Sequence, residues 1–331
     1  MKFRRYRPAT NQWLPASDHC NGRTFFNPHD PLRSSGFDLL KWKVTADPVP
    51  WPRSMHDLQK PIFAAQATED EVTATFVGHS TFLLQLGGRN ILTDPVWSER
   101  CSPVSWAGPK RVRPPAIAWE DLPQIHAILL SHNHYDHCDI PTLKQLHAKF
   151  RPLILTGLGN RALLEFHGID NVAEFDWWEK YPLTHQLEAT FCPAMHWSNR
   201  GGGTLNSSLW GAFRLATPSR SIYFAGDSGY GPHFKETRQR LGDVDWALLP
   251  IGAYEPRWFM KSMHMNPAEA VAAHLDLGAG RSIGMHFGTW QLTDEGMDEP
   301  KLDLKAAMIP AELTEATFTV PNFGETMNFS R

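Results

Sequence analysis

Cysteine, long apolar runs and basic segments are all scarce in this sequence of 331 residues. Its four cysteines are widely scattered, which is typical of a reducing compartment rather than of a disulfide framework. No run approaches the ~20 apolar residues that a membrane-spanning helix needs. The start, MKFRRYRPATNQW, has positive charge but lacks the apolar core of a secretion signal. We therefore expect a cytoplasmic protein without a transmembrane helix.

The charge balance argues against nucleic acid as a partner. The formal net charge is -3 and the pI is near 6.6. Binding to a phosphate backbone usually requires a basic surface, which this composition does not indicate. A hydrophobic content of 42% in a chain of this length is enough for a large core. The composition thus predicts a globular protein of one large or two ordinary domains.

The chain changes character after about sixty residues. Residues 1–60 are rich in proline, tryptophan and polar residues and show no sustained periodicity, which predicts an irregular extension packed on the body, residues 61–331. From residue 71, short β-rich runs alternate with helical patterns such as NPAEAVAAHLDLG, where Asn266 is a capping residue and Gly278 a terminator. This mixture predicts one α/β unit in which helices cover sheets.

Residues 129–140, LLSHNHYDHCDI, place three histidines and two aspartates directly after an apolar run. A wet polar loop explains the polarity of the stretch but not the order of its residues. His132, His134, Asp136 and His137 offer nitrogen and carboxylate donors at spacings from which a tight turn can direct them at one centre or at two adjacent ones. The stretch therefore indicates a metal site.

Further donors follow other apolar strands. His196 follows TFCPAM, Asp227 follows SIYFAG and His286 follows SIGM. A lone histidine at a strand end is more often a hydrogen-bonded structural residue than a ligand. Residues that end neighbouring strands converge at one edge of a sheet, however, and open α/β sheets bind ligands at that edge. A shared centre explains all of these strand ends together.

The donors suit two metal ions. Nitrogen and oxygen donors without a thiolate favour zinc, with manganese or iron as less favoured occupants. Two ions ~3.5–4 Å apart lower the pKa of a bound water and suit hydrolysis, whereas a structural zinc site is closed and more often uses cysteine. The candidate ligands are His132, His134, Asp136, His137, His196, Asp227 and His286.

The pattern HxHxDH with a later His, Asp and His resembles the metallo-β-lactamase superfamily. The resemblance is narrower to its N-acylphosphatidylethanolamine-hydrolysing phospholipase D branch, and it runs from about residue 70 to 290. It is carried by TFVGHST, LTDPVWSERCSPVSWAGPKRVRPP, LLSHNHYDHCD, FDWWE, FAGDSGYGPHF and PIGAYEPRWFMKSMHMNPAEAV. It implies an α/β fold, a four-layer αββα sandwich, with two zinc ions per chain at one edge.

The resemblance also implies roles for individual residues. His132, His134 and His196 match the ligands of the first zinc, and Asp136, His137 and His286 match those of the second, with Asp227 as the bridge. His264 matches a histidine beside the substrate. We accordingly predict Asp136, Asp227 and His264 as catalytic residues.

Several other residues are open to two interpretations. Tyr254, Arg257 and Trp258, together with His264, are predicted to bind substrate, although Arg257 paired with a carboxylate among core aromatics is the alternative. His79, Asp94 and Asp139 either orient ligands through hydrogen bonds or cap turns. The glycine-rich segment 198–204, SNRGGGT, is either a mobile rim over the metals or a plain turn.

We therefore predict a zinc-dependent phosphodiesterase of phospholipase D type. Its substrate would be N-acyl phosphatidylethanolamine or a similar amphiphile, and its products N-acylethanolamine and phosphatidic acid. Such a substrate implies transient contact with a membrane surface and a location in the cytoplasm or peripheral at a membrane. The alternatives are a hydrolase of a soluble ester, lactone or phosphodiester, and a zinc-binding protein without activity.

Overall fold

Strands and helices alternate through the computed structural model, which describes residues 14, 16–29, 36–69 and 72–329. The strands are β1 (Thr73–Gly78), β2 (Thr81–Leu86), β3 (Arg89–Thr93), β4 (Ala127–Leu130), β5 (Leu153–Gly157), β6 (Val172–Phe175), β7 (Lys180–Pro182), β8 (Glu188–Cys192), β9 (Ala212–Ala216), β10 (Ser221–Phe224), β11 (Trp246–Pro250), β12 (Arg281–Met285), β13 (Phe318–Thr319) and β14 (Thr326–Asn328). The α-helices are α1 (Gly36–Thr45), α2 (Ile140–Phe150), α3 (Arg161–Phe166), α4 (His233–Leu241), α5 (Arg257–Met260), α6 (Pro267–Asp276) and α7 (Glu299–Met308).

The strands form two mixed sheets of seven strands each within the described residues. The first has the order β14-β1-β2-β3-β4-β5-β6, and the second has the order β13-β12-β11-β10-β9-β8-β7. In the first sheet β3 to β6 are parallel, and in the second β10 to β13 are parallel. The remaining pairs are antiparallel. Each sheet therefore has a parallel half whose strands end at a common edge.

Alternating side chains of the central strands separate the core into two layers. In β4, Ala127 and Leu129 join the large cluster between the sheets, whereas Ile128 and Leu130 join a second cluster with helices α2 and α3. A strand buried on both faces reads as a continuous apolar run because successive side chains point to opposite faces. Helices α6 and α7 pack together at the second sheet. The predicted αββα sandwich is confirmed.

Helices with local signals were predicted correctly. Helix α2 coincides with the string IPTLKQLHAKF. Helix α6 begins after Asn266, which accepts a hydrogen bond from the Glu269 backbone N–H while Glu269 returns one, forming a capping box. Helices α1, α4, α5 and α7 were not predicted, and α5 has only four residues, too few to show a period.

The described part of the N-terminal extension lies along the body and contains one helix, α1. Backbone hydrogen bonds join Val49 to Asp294, Met55 to Val112 and Gln59 to Phe323. The boundary at residue 60 stays a prediction.

Farther toward the N-terminus, His19 anchors the extension. Its ring stacks on Trp177 with centroids 4.1 Å apart, and its Nε2 lies 2.7 Å from Asp176 Oδ1. Burial lowers the pKa of His19, but the hydrogen bonds and charges of Asp176 and Asp18 outweigh it and raise the pKa above its usual value. The histidine is thus stabilised as a cation between two carboxylates.

The sequence predicted no transmembrane helix and no disulfide framework. Among the described residues, no helix combines the length and apolarity that crossing a bilayer requires. All four cysteines are buried free thiols.

Candidate metal centre

The candidate donors converge at the edge where the strands of both sheets end. His79, Asp94 and His286 directly follow β1, β3 and β12, and all three have left-handed backbones, with φ of 57°, 33° and 61°. Such a conformation is uncommon for residues other than glycine and persists where the surrounding structure enforces it. Here it turns the chain sharply at each strand end and leaves three polar side chains at the same edge.

Three histidine nitrogens form the first group of donors. His134 Nδ1 lies 2.9 Å from His132 Nε2 and 3.1 Å from His196 Nε2. Burial lowers the pKa of His134 to about 3 and that of His196 to about 4. The imidazoles are therefore neutral, which is the state in which histidine binds a metal.

A carboxylate and two histidines form the second group. Asp136 Oδ2 lies 3.4 Å from both His137 Nε2 and His286 Nε2. Burial alone lowers the pKa of a histidine, yet Asp227 and Asp136 raise the pKa of His137, and they raise that of His286 to about 9. The carboxylates thus outweigh burial at both histidines, so this group stabilises positive charge.

Asp227 lies between the two groups. Its Oδ2 is 3.1 Å from both His137 Nε2 and His286 Nε2, 3.8 Å from His196 Nε2 and 4.0 Å from His132 Nε2. Burial raises the pKa of Asp227, but the neighbouring His137 and His286 outweigh burial and hold this pKa well below its usual value. An ionised carboxylate in this position faces both groups of donors.

The donor set fits bound metal ions. Two buried polar atoms at the centre, His134 Nε2 and Asp227 Oδ1, have no hydrogen-bond partner among the described residues, and a buried polar atom without a partner is costly. Donors ~2.0–2.1 Å from one zinc ion are separated by roughly 3.3 Å, close to the spacings in both groups. Metal binding would therefore satisfy atoms that the protein itself leaves unpaired.

Asp94 orients two of the histidines. Its Oδ2 accepts hydrogen bonds from His137 Nδ1 at 2.6 Å and from the Ser131 hydroxyl at 2.5 Å. Ser131 Oγ lies 2.9 Å from His132 Nδ1. A partner on the second ring nitrogen determines which nitrogen faces the metal. One buried carboxylate therefore orients a histidine of each group.

The other two residues with open interpretations differ from each other. His79 Nε2 lies 3.1 Å from Asp136 Oδ2, so His79 contacts a candidate ligand. Asp139 contacts no histidine; it accepts hydrogen bonds from the Ser98 backbone, the Ser98 hydroxyl and Thr142 at the start of α2. These contacts join Asp139 to the Ser98 segment and to Thr142 of α2, which favours the structural interpretation of Asp139.

Comparison with known proteins identifies the family. The family described as a beta-lactamase superfamily domain matches residues 89–287. N-acyl-phosphatidylethanolamine-hydrolyzing phospholipase D 1 of Caenorhabditis elegans is 36% identical over 342 residues, which cover 96% of this chain and 96% of that protein. The chain belongs to the metallo-β-lactamase superfamily, in its N-acylphosphatidylethanolamine-hydrolysing phospholipase D-like branch.

Two further comparisons agree with this metallo-β-lactamase assignment. The mitochondrial N-acyl-phosphatidylethanolamine-hydrolyzing phospholipase D of Saccharomyces cerevisiae is 37% identical over 239 residues, covering 70% of this chain and 50% of that protein. The solved structure of Igni18, a metallo hydrolase from Ignicoccus hospitalis, superposes with a TM-score of 0.59 at 20% identity and covers 79% of this chain and 99% of that chain. The predicted resemblance is confirmed, and the chain is a metal-dependent hydrolase of the metallo-β-lactamase fold.

The residues predicted to bind substrate lie on the segment before α6. Tyr254 is buried and its hydroxyl donates to Asp303 Oδ2 at 2.6 Å. Arg257 pairs with Glu269 at 2.7 Å and donates to the carbonyl of His264 at 2.9 Å. The contacts of Tyr254 and Arg257 are those expected if both residues stabilise the fold. Trp258, by contrast, is 49% exposed. The substrate-binding role of the three residues stays a prediction.

His264 is the predicted substrate residue that reaches the centre. Its Nδ1 lies 3.9 Å from Asp227 Oδ2 and has no hydrogen-bond partner. The preceding residue supports a ligand, because the Met263 carbonyl accepts a hydrogen bond from His196 Nδ1 at 2.9 Å. The segment 263–264 therefore contacts the site with both backbone and side chain.

Two residues at the centre were not identified from the sequence. Ser131 links Asp94 to His132, and Trp197 places its ring against His134 with centroids 4.4 Å apart. Both directly adjoin a candidate ligand in the sequence, and adjacency to His132 and His196 was the only signal available.

Proposed function

We propose that the protein is a zinc-dependent phosphodiesterase of phospholipase D type, acting on N-acyl phosphatidylethanolamine or a similar amphiphilic phosphodiester. The observation that carries the hydrolytic part is the position of Asp227 Oδ2, 3.1 to 4.0 Å from four histidine nitrogens of two donor groups. The lipid part rests on the C. elegans relative, which matches over 96% of both chains. Two donor groups on either side of one carboxylate suit a two-metal hydrolase.

The residues of the centre have different proposed roles in the reaction. The seven ligands would hold two metal ions, which together supply an activated water near neutral pH and positive charge for the phosphoryl oxygens. Asp227 faces both ion positions, Asp136 belongs to the second, and His264 borders them at the substrate side. The seven proposed ligands are His132, His134, His196, Asp136, His137, His286 and Asp227.

In the overall reaction, one P–O bond is exchanged for another. The water oxygen becomes bonded to phosphorus, and the bond from phosphorus to the N-acylethanolamine oxygen breaks. That oxygen takes up a proton, so the products are N-acylethanolamine and phosphatidic acid. Burial holds the pKa of His264 well below its usual value, so its neutral ring is suited to donate a hydrogen bond to a phosphoryl oxygen as negative charge develops there.

We expect purified protein to carry close to two transition-metal ions per chain, mostly zinc, because each donor group is complete. Elemental analysis of folded protein that has not met a chelator measures this number. Activity toward a generic aryl phosphodiester should disappear on chelation and return with zinc. One ion or none would contradict the two-metal site, and recovery only with iron or manganese would contradict zinc.

Exposed apolar residues support contact with a membrane surface. Phe37, Leu40 and Val44 lie on one face of α1 and are 73%, 59% and 77% exposed. On the opposite face, Trp42 stacks on Phe259 of α5 with centroids 5.3 Å apart. Helix α1 thus packs on α5, which ends four residues before His264, and leaves its apolar face exposed. We propose a cytoplasmic protein that binds membranes peripherally and transiently.

The lipid assignment predicts that N-acyl phosphatidylethanolamine in vesicles is hydrolysed faster than a short-chain analogue, because binding of the remote chains lowers the barrier at phosphorus. The double variant Leu40→Ser, Val44→Ser should lose vesicle binding and vesicle activity but keep activity on the short analogue. Ile309→Ser, which changes an exposed apolar residue at the end of α7, is the matched control.

The product analysis decides between substrates. Release of N-acylethanolamine and phosphatidic acid, measured by mass spectrometry, is the expected result. Equal turnover of the short analogue without lipid products would replace this assignment by a hydrolase of a soluble ester, lactone or phosphodiester.

Changing His264 to alanine should impair phosphodiester cleavage while preserving both metal ions, because His264 lies outside the seven ligands. Loss of one hydrogen-bond donor to developing charge costs about 10²–10³ in kcat. Kinetics and elemental analysis on the same preparation test the prediction, with the conservative variant Met265→Leu as a control for the segment. Normal turnover would exclude His264 from the reaction, and loss of metal would make it a ligand.

A further inference from the structure

The glycine-rich segment 198–204 contacts the loop that carries most of the candidate ligands. Arg200 Nη1 donates to the Asn133 carbonyl at 3.2 Å and to the Cys138 carbonyl at 2.9 Å. Its guanidinium lies over the Tyr135 ring, 3.8 Å from the centroid, and the Tyr135 hydroxyl donates to the Arg200 carbonyl at 3.1 Å. A fourth hydrogen bond joins the Asn199 N–H to Asn133 Oδ1 at 3.0 Å. These contacts tie the segment to the ligand loop.

The loop that Arg200 contacts has little regular structure to hold it. Residues 131–138 follow β4 without forming a strand or helix, and within this loop the backbone N–H groups of His137 and Cys138 donate to the His134 carbonyl. Asn133 and Cys138 stand on either side of His134, Asp136 and His137. One guanidinium therefore joins the two ends of the turn that presents these donors.

Arg200 also connects the two sheets at the first donor group. His132 and His134 follow β4 of the first sheet, whereas His196 follows β8 of the second. Arg200 is four residues beyond His196 and binds the loop of His132 and His134. The spacing between His134 Nδ1 and His196 Nε2, 3.1 Å, thus depends on two segments from different sheets that Arg200 ties together.

The backbone of segment 198–204 forms a glycine-rich turn that places Arg200 against the ligand loop. Gly201, Gly202 and Gly203 have φ of 76°, 63° and 89°, and a Cβ on any of them would meet nothing within 4 Å. The glycines are therefore required by conformation rather than by space. The Arg200 N–H donates to Thr204 Oγ1 at 2.7 Å, which closes the turn.

We infer that Arg200 is a positioning residue that clamps the ligand loop 132–138 against the segment of His196 and so sets the geometry of the three-histidine group. The planar guanidinium both bridges two carbonyls and stacks on Tyr135, which a lysine ammonium does not reproduce. The inference rests on the proposed metal site and deepens it. The Arg200 guanidinium binds backbone carbonyls of the ligand loop, so its effect on the metal would be transmitted by the backbone.

Arg200→Ala should weaken zinc affinity about 10-fold, the lower end of the range seen for direct hydrogen-bond partners of a ligand, because Arg200 acts through the loop backbone. Zinc affinity is measured by competition with a chromophoric chelator, and the geometry of the site by the visible absorption of the cobalt-substituted protein. Arg200→Lys should recover part of the affinity, and Tyr135→Leu, which removes the stacking partner, should lower it in the same direction. The melting temperature of the metal-free variant shows whether Arg200 instead stabilises the fold as a whole.

Arg240→Ala is the matched control, because Arg240 also lies over an aromatic ring, Trp178 at 4.4 Å, and pairs with Glu236 at 2.9 Å. Unchanged zinc affinity and cobalt spectrum in Arg200→Ala would overturn the inference. A loss of metal-free melting temperature beyond that of Arg240→Ala, with unchanged zinc affinity in the folded protein, would overturn it too. Wild-type protein that binds no metal would instead refute the proposed function.

Discussion

We expect the Asp227→Ala variant to hydrolyse its substrate more than about 100-fold more slowly than the wild type. Removing only the hydrogen-bond partner of a metal ligand costs up to about 100-fold, and Asp227 is a proposed ligand itself. Asp227 Oδ2 is the oxygen that faces both donor groups, 3.1 Å from His137 and His286 and 3.8 Å from His196. Without it, the four histidine nitrogens around it lose the carboxylate that faces both ion positions. Steady-state kinetics and metal content per chain, measured together, test this expectation.

The fold should survive the Asp227→Ala change. Asp227 follows β10 at the edge of the sheet and belongs to neither apolar cluster, so the change removes a charge from the centre and not a core contact. Circular dichroism of the variant should therefore resemble that of the wild type. Asp245→Ala, which removes an aspartate that hydrogen-bonds Ser221 at the start of β10, controls for a general effect on that strand. Near-normal turnover in Asp227→Ala would mean that the active centre lies elsewhere.

Asp94→Asn is expected to lower metal affinity about 10- to 100-fold, with a corresponding loss of activity at limiting zinc. Asparagine has nearly the same shape, but its amide nitrogen cannot accept a hydrogen bond. In the wild type, Oδ2 accepts from His137 Nδ1 and the Ser131 hydroxyl, and Oδ1 accepts from the Ser131 backbone N–H at 2.8 Å. Whichever way the amide is turned, its nitrogen replaces one accepting oxygen, so at least one of these hydrogen bonds is lost, and so is the negative charge. The orientation of a histidine in each donor group would then be less well determined.

Asp139→Asn is the control for this effect. Asp139 is also buried and directly follows the ligand loop, but its oxygens accept hydrogen bonds from Ser98 and Thr142 and from no histidine. We expect Asp139→Asn to cost about 1 kcal/mol of stability and to leave zinc affinity unchanged. Chelator competition and thermal unfolding separate the two properties. Equal zinc affinities of the two variants would show that Asp94 does not orient the ligands.

Much of the fold was predictable because its signals are local. The apolar run before His132 predicted β4, and Asn266, Pro267 and Glu269 mark the start of α6 through capping chemistry that lies within four residues. Helix α5 and the edge strands β13 and β14, which have three residues or fewer, are too short to show a period. Their conformation depends on the strands and loops against which they pack.

The candidate donors were also identified from the sequence, since residue types and the order HxHxDH limit the chemistry to hard and borderline ligands. Their division into two groups around Asp227 was implied by the resemblance to a known family. The structure brings these donors together around Asp227, but their division between two ions stays a prediction, since the sequence contains no distances. Asp139 shows the limit, because an aspartate next to a ligand loop can face either a histidine or a helix start, and the two possibilities look identical in sequence.

The sequence by itself determined the α/β class, the strand ends that carry donors and the family, because each of these depends on residue type and on neighbours along the chain. Only the tertiary structure decided which side chains meet across the two sheets. His196 meets His134, Asp94 meets His137, and Arg200 meets the carbonyls of Asn133 and Cys138. All four contacts join residues that are 43 to 67 positions apart, and they depend on how the strands and the loops beyond them pack. Packing is a property of the whole core, so no short stretch of sequence specifies it.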